Sequence, residues 1–225
     1  MRIGILQTGH APDALRDTYG DYPDMVERLL AGRGFTFQTY DVEHMEFPAS
    51  VHAAEGWLIT GSKHGTYEDH DFIPPLETFI RDAYGAEIAI VGICFGHQII
   101  AQALGGHVEK FEGGWSVGPR DYEIDGQTYT LNAWHQDQVI RPPEAAETVG
   151  HGTRCAHAAL VYGNRAWSVQ PHPEYGAGFI EGLMTHRAPG VVPEDRLAEA
   201  RARLGTPTDN GAMADRIARF FTERR

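Results

Sequence analysis

Two short stretches concentrate the residue types of nucleophilic chemistry. VGICFGHQII (91–100) holds Cys94 between Gly92 and Gly96, directly behind an apolar run. Glycines two residues before and two after a nucleophile permit a tight strand-to-helix turn, the nucleophile elbow, here with Cys in place of Ser. Such a turn lifts the side chain above a sheet and sets it at a helix N-terminus, where the dipole favours a thiolate. The backbone N–H of the following Phe95 is then free to donate to an oxyanion. The same five residues fit a buried core cysteine between packing glycines equally well. A nucleophilic thiol needs a base, and the base needs an orienting group. Gln170-Pro171-His172-Pro173-Glu174 offers both. Each proline pushes the residue before it towards extended geometry, and in extended chain positions i and i+2 share one side. His172 and Glu174 therefore face the same way, and the carboxylate can set the imidazole tautomer. Alone, this segment also fits a surface loop; with Cys94 it supplies the missing half of a nucleophilic device.

The elements around these motifs must bring them together. RIGILQ (2–7) reads as a buried strand, and 24–30 as a helix behind Pro23, closed by Gly32 and Gly34. FTFQTYDV (35–42), GWLIT (56–60) and EIAIVGI (87–93) read as further strands, with a helix from Pro74-Pro75 to Ala83 between the last two. This alternation predicts a mostly parallel sheet with helices on both faces. In such a sheet ligands sit beyond the carboxyl ends of the strands, the edge where Cys94 falls. After Gly105 the texture changes. Asp125-Gly126 separates two alternating runs in DYEIDGQTYTL, a hairpin signal, and Gly163-Asn164 repeats it in 158–170. Two helices, about 193–204 and 211–223, close the chain. The fold class is thus α/β, a mixed and largely parallel central sheet flanked by helices, with antiparallel strands in the second half.

At 225 residues the chain suits one large α/β domain. Residues 1–185 are expected to form the catalytic domain, with 186–225 a helical extension packed on it. No stretch approaches the roughly 20 apolar residues of a membrane span, and MRIGILQTGH is too short in its apolar run for a signal peptide. A cytoplasmic location is the expectation. Two cysteines make no disulfide framework, so both are expected as free thiols. Twelve histidines are many, yet no HExxH or paired CxxC organises them, so no metal and no cofactor is expected. A net charge of −12 argues against nucleic acid or an acidic membrane as partner and suits a small-molecule substrate.

GICFGHQ together with QPHPEY resembles the class I, triad-type glutamine amidotransferases over roughly residues 1–180. Cys94, His172 and Glu174 match that family's Cys-His-Glu triad in type, order and local motif. The resemblance implies the family's flavodoxin-like fold and further site residues. Ile59-Thr60-Gly61-Ser62-Lys63 lies where the family has a glycine-rich oxyanion loop, so Gly61 or Ser62 is expected to supply the second oxyanion N–H. Gln98 matches a substrate-contacting glutamine, and His97 beside it reads as structural. Trp134, His135 and Gln136 match the segment that lines the γ-glutamyl pocket, although Gln and Asp after the histidine depart from forms such as HGD. Gly114-Trp115-Ser116-Val117-Gly118 resembles a stretch bordering that pocket in stand-alone members.

The activity implied is hydrolysis of a γ-glutamyl amide through a Cys94 thioester, releasing ammonia and glutamate. Three readings follow. One is a glutaminase whose synthetase is a separate chain, since nothing here resembles a P-loop or an acceptor domain. The second is a stand-alone γ-glutamyl peptide or amine hydrolase, as in plant γ-glutamyl peptidases. The third is a non-catalytic relative that binds a metabolite or partner, against which the intact triad counts. The C-terminal helices either cover the sheet or dock a partner or second copy.

Overall fold

The computed structural model describes residues 1–223. Strand β1 (Arg2–Gln7) is followed by α1 (Asp13–Tyr19), α2 (Tyr22–Leu29), β2 (Thr36–Asp41), β3 (Gly56–Ile59), α3 (Ile73–Gly85), β4 (Ala89–Ile93) and α4 (Phe95–Ala103). Then come β5 (His107–Lys110), β6 (Ser116–Ile124), β7 (Gln127–His135), β8 (Asp137–Arg141), β9 (Glu147–Gly152), β10 (Cys155–Tyr162) and β11 (Ala166–Val169). Helices α5 (Ala177–His186), α6 (Glu194–Arg203) and α7 (Asn210–Thr222) close the chain.

Nine strands form one sheet in the order β2-β1-β3-β4-β11-β10-β9-β6-β7, and β5 pairs with β8 separately. The first five run parallel and the rest antiparallel. This is the expected mixed α/β architecture. Its consequence for chemistry lies in strand order. β3, β4 and β11 are adjacent and parallel, so the chain after each emerges at the same edge. Those continuations are Thr60-Gly61-Ser62, Cys94 and Gln170-Pro171-His172.

Both sheet faces are covered, as parallel strands require. Leu6, Ile59 and Ile90 pack with Leu76 and Ile80 of α3 and Ile99 and Ile100 of α4. On the opposite face Ile3, Ile5, Leu58 and Val91 pack with Val26 of α2 and Met213, Ile217 and Phe221 of α7. Helix α7 is therefore part of the main core. Helix α6 lies on β6, where a side chain on Gly118 would meet Ala200.

Several bounds follow local chemistry. Helix α2 starts earlier than the 24–30 expected, because Asp21 and Asp24 form a capping box that admits Pro23 in the first turn. The Asp125-Gly126 turn has φ of 48° and 74°, the two left-handed positions a type I′ hairpin needs. The second hairpin departs from the two-residue reading. Tyr162 pairs with Ala166, so its loop is 163–165, with Gly163 at φ 58°. Further elements have breakers in front of them: Pro12 precedes α1, Gly105-Gly106 precedes β5, Pro142-Pro143 precedes β9 and Gly176 precedes α5.

Candidate active site

Cys94 sits between β4 and α4 with φ 53° and ψ −103°. A non-glycine residue held there costs of order 1–3 kcal/mol and persists only where its surroundings over-determine it. The surroundings do so. A side chain on Gly92 would meet the Gly96 carbonyl oxygen at 2.4 Å, and one on Gly96 would meet the Ile59 carbonyl oxygen at 2.3 Å. Both obstacles are backbone, so the two glycines are what allow the turn to close. Hydrogen bonds then pin it to its neighbours. The Cys94 N–H donates to the Val169 carbonyl at 2.9 Å, and the Gly96 N–H to the Thr60 carbonyl at 3.1 Å. The elbow is thus fastened to the ends of β11 and β3. Phe95 opens α4, where backbone N–H groups lack intrahelical partners.

His172 follows β11 and is fixed from three sides. Its N–H donates to the Asn132 carbonyl at 2.8 Å. Its ring stacks on Tyr175 with centroids 4.0 Å apart and planes 5° from parallel. Its Nδ1 lies 2.6 Å from Glu174 Oε1, and both side chains are 3 % exposed. The carboxylate accepts the Nδ1–H hydrogen bond and leaves Nε2 for the Cys94 thiol, with which the ring hydrogen-bonds. Burial alone would lower the His172 pKa. The Cys94 and Glu174 charges and their hydrogen bonds outweigh it and hold the pKa well above the ordinary imidazole value. The structure therefore brings Cys94, His172 and Glu174 together at the sheet edge.

Gly61 packs against this pair. A side chain there would lie 3.0 Å from His172 Cε1 and 3.9 Å from Cys94 Cβ. Its carbonyl accepts from the Thr8 and Thr60 hydroxyls at 3.2 and 3.1 Å. In a trans peptide the N–H points opposite the C=O, so the Ser62 N–H is turned away from those threonines. Ser62 lines the same cleft as Cys94 and His172.

That cleft has a volume of about 550 Å³. Gln98, Trp134, His135 and Gln136 all line it. Gln98 Nε2 donates to the Asp137 carbonyl at 2.8 Å and to Gln170 Oε1 at 3.1 Å. His135 is kept neutral: burial first, then the neighbouring His172 charge, depress its pKa to about 3. Its Nδ1 lies 3.3 Å from the Asp137 carbonyl, and its buried Nε2 has no hydrogen-bond partner among the described residues. Gln136 joins the 111 turn through its backbone carbonyl and its side chain. Trp134 packs against Trp115, with ring centroids 5.9 Å apart. His97 lies below the cleft, bonded to Ser168 Oγ at 2.8 Å, and burial drives its pKa to about 3.

Sequence reasoning missed other parts of the cleft. Tyr175 ends the QPHPEY motif and supplies the ring beneath His172. Asn132 holds the His172 backbone and, through Nδ2, the Tyr175 carbonyl at 2.9 Å. Asp137 carries a carboxyl raised in pKa chiefly by burial, and accepts from the Tyr67 hydroxyl at 3.0 Å. Lys63, Lys110 and Arg187 add positive charge to the lining. A lone aromatic, asparagine or lysine carries no spacing signal, and only adjacency to a motif flags Tyr175, Asp137 after Gln136 and Lys63 after Ser62.

The fold and this constellation define a class. The family description "Glutamine amidotransferase class-I" matches residues 14–181, and the chain belongs to that family. A glutamine amidotransferase-like protein of Schizosaccharomyces pombe is 29% identical, with 98% of each chain covered. Gamma-glutamyl peptidase 4 of Arabidopsis thaliana is also 29% identical, over 93% of this chain and 90% of its own. The crystal structure of a glutamine amidotransferase from Thermotoga maritima shares the fold, with a TM-score of 0.77 at 21% identity, covering 100% of this chain and 97% of that one.

Proposed function

We propose that the protein hydrolyses a γ-glutamyl amide bond through a thioester on Cys94. The observation that carries this reading is the buried His172–Glu174 pair, 2.6 Å apart, facing a cysteine held at a strained elbow. Cys94 gives its proton to His172 and attacks the γ-carbonyl carbon as thiolate. The carbonyl π electrons move to oxygen, and the Phe95 N–H stabilises the oxyanion from the start of α4. The Ser62 N–H is the second donor in this reading, since the threonine-bound Gly61 carbonyl aims it away from the sheet. His172 then protonates the leaving nitrogen as the C–N bond breaks. Water, deprotonated by His172, attacks the thioester and releases glutamate and the Cys94 thiol. Gln98, Trp134, His135 and Gln136 shape the γ-glutamyl end of the cleft. Residues 1–185 carry the chemistry, and α6 and α7 beyond them pack on the sheet.

With glutamine as substrate the leaving group is ammonia, for hydrolysis or for delivery to a separate synthetase. A second reading has an amine or peptide as leaving group. Cleft size favours it: about 550 Å³ lies within the roughly 300–1,000 Å³ typical of drug-sized ligands, more than one amino acid fills. The resemblance to a gamma-glutamyl peptidase along 93% of the chain points the same way. The test is glutamate release by the purified chain from glutamine and from γ-glutamyl dipeptides, beside Cys94→Ala. Faster release from dipeptides supports the second reading, and faster release from glutamine the first. Equal background rates for wild type and variant overturn the thioester mechanism.

A further inference from the structure

A second cluster of chemically capable side chains lies beside the cleft, where β1 and β2 end. His10 follows β1, and Asp41, Glu43 and His44 follow or end β2. Parallel pairing of the two strands in register, Gln7 against Asp41, brings these distant segments together. His10, Glu43 and His44 each offer a ligand atom within 4.8 Å of the others. His10 Nε2 and Glu43 Oε2 are 3.7 Å apart. Both atoms are buried, and neither has a hydrogen-bond partner among the described residues.

The second shell sets what these atoms are. Asp21 Oδ2 lies 2.6 Å from His10 Nδ1. Asp21 is itself locked by the Ala11 and Tyr22 N–H groups, each at 2.8 Å. Gln7 Nε2 lies 2.9 Å from the same Nδ1 and 3.0 Å from Asp21 Oδ2; in the neutral tautomer whose Nδ1–H donates to Asp21, Nε2 carries a lone pair. That lone pair faces Glu43 Oε2 and, at 3.3 Å, Asp41 Oδ2. Acceptors gathered around one point repel unless a proton on Nε2 or a metal cation sits among them. Asp41 Oδ2 also lies 2.9 Å from His44 Nδ1, so it sits between the two histidines while Asp21 backs His10 from the other side. Carboxylate–histidine pairs of this kind orient metal ligands. Asp21, Asp41 and Glu43 bring three negative charges, and Lys63, 3.4 Å from Glu43 Oε1, offsets one. With His10 and His44 neutral, as ligands must be, the remainder matches a divalent ion.

We propose that His10, Glu43 and His44 bind a divalent transition-metal ion, with Zn²⁺ the best match to two imidazoles and a carboxylate. Tetrahedral zinc ligands at about 2.0–2.1 Å lie roughly 3.3–3.4 Å apart, so the His10–Glu43 pair needs only a small contraction from 3.7 Å, and the His44 ligand atom, within 4.8 Å of both, must close to the same spacing. Glu43 would carry the effect to the cleft, since its other oxygen holds His64 Nε2 at 2.8 Å and His64 lines the cleft wall. The nearby group His64, Glu68 and His70 is a weaker candidate. His64 Nε2 is engaged by Glu43, and His70 Nε2 by Glu68 at 2.9 Å.

The test is titration of the full, chelator-stripped chain with Zn²⁺ and, as a spectroscopic probe, Co²⁺. The expected result is one tightly held equivalent, a rise in melting temperature, and the visible absorption of four-coordinate Co²⁺. Binding should be lost in His10→Ala and Glu43→Gln, and should persist in His70→Ala. Exposed His44→Ala provides a variant with little folding risk and should weaken binding at least tenfold. Asp21→Asn should weaken it by roughly 10–100-fold, as second-shell changes do. Uptake no greater in wild type than in His44→Ala overturns the proposal. So does binding that survives in Glu43→Gln but fails in His70→Ala, or a His10 ring carrying both protons at neutral pH with Zn²⁺ present.

Discussion

Cys94 and Cys155 are the two cysteines of the chain, and their burial is nearly equal, 5 % and 3 % exposed. Both belong to the same apolar cluster, and what differs is the backbone and the polar groups around each sulfur. Cys155 opens β10 and packs among Tyr122, Ala158 and other apolar neighbours. Burial pushes its thiol up to about 12, which keeps it protonated. Cys94 sits at φ 53° on a turn that only flanking glycines can form, beside a histidine that a carboxylate orients. In the proposed mechanism, therefore, burial is not what separates an inert thiol from a nucleophile. Backbone placement at the end of parallel strands, and a proton acceptor across the gap, make the difference.

The comparison is easiest to break at the sulfur. Cys94→Ala should lower turnover of a γ-glutamyl amide by on the order of 10⁶, as loss of a nucleophile does. Cys155→Ala should leave turnover at the wild-type rate and cost about 1 kcal/mol of stability in urea unfolding. Equal losses of turnover in the two variants would erase the distinction.

Removing the orienting charge is the next largest change. Glu174→Gln should cost roughly 10²–10⁴ in turnover, the range of general acid–base contributions. The pH profile sharpens this. Burial depresses the His172 pKa, and the Cys94 and Glu174 charges more than reverse it. The proton that His172 must give the leaving nitrogen is lost as pH rises through that raised value, so activity falls on the alkaline side. Glu174→Gln removes one raising charge and should move the alkaline limb to lower pH. An unmoved limb would show that another group sets it.

Gly61→Ala adds a methyl 3.0 Å from His172 Cε1 and disturbs the peptide that carries the Ser62 N–H. Turnover should fall by up to about 10²–10³, the cost of one oxyanion donor, with thiol labelling of Cys94 retained. Ser168→Ala should have the smallest effect on chemistry. It strips the buried His97 of its 2.8 Å partner, so about 1–3 kcal/mol of stability is lost while kcat stays near wild type.

Much of the site is legible in the sequence because its signals are local. Gly92-Ile93-Cys94-Phe95-Gly96 encodes a turn, and His172-Pro173-Glu174 encodes a facing pair through proline geometry. Asp125-Gly126 announces its hairpin for the same reason. What stays hidden depends on strand order. Nothing local says that β11 returns beside β4, which is what puts His172 over Cys94. The role of Asn132 depends on an antiparallel bridge to His172, which no spacing encodes. His10 and Glu43 lie 33 positions apart, so no metal-ligand spacing joins them, and only the β1–β2 register does. Gln98 was expected at the substrate. It does line the cleft, but its amide nitrogen also holds the Asp137 carbonyl and Gln170.

The central claim is that Cys94 forms the covalent bond. Acid quenching during turnover of a γ-glutamyl amide, followed by peptide mass spectrometry, reads it directly. The expected result is a glutamyl adduct on the peptide containing Cys94 and none on the peptide containing Cys155. Turnover with no adduct at Cys94, or with the adduct at Cys155, would contradict it.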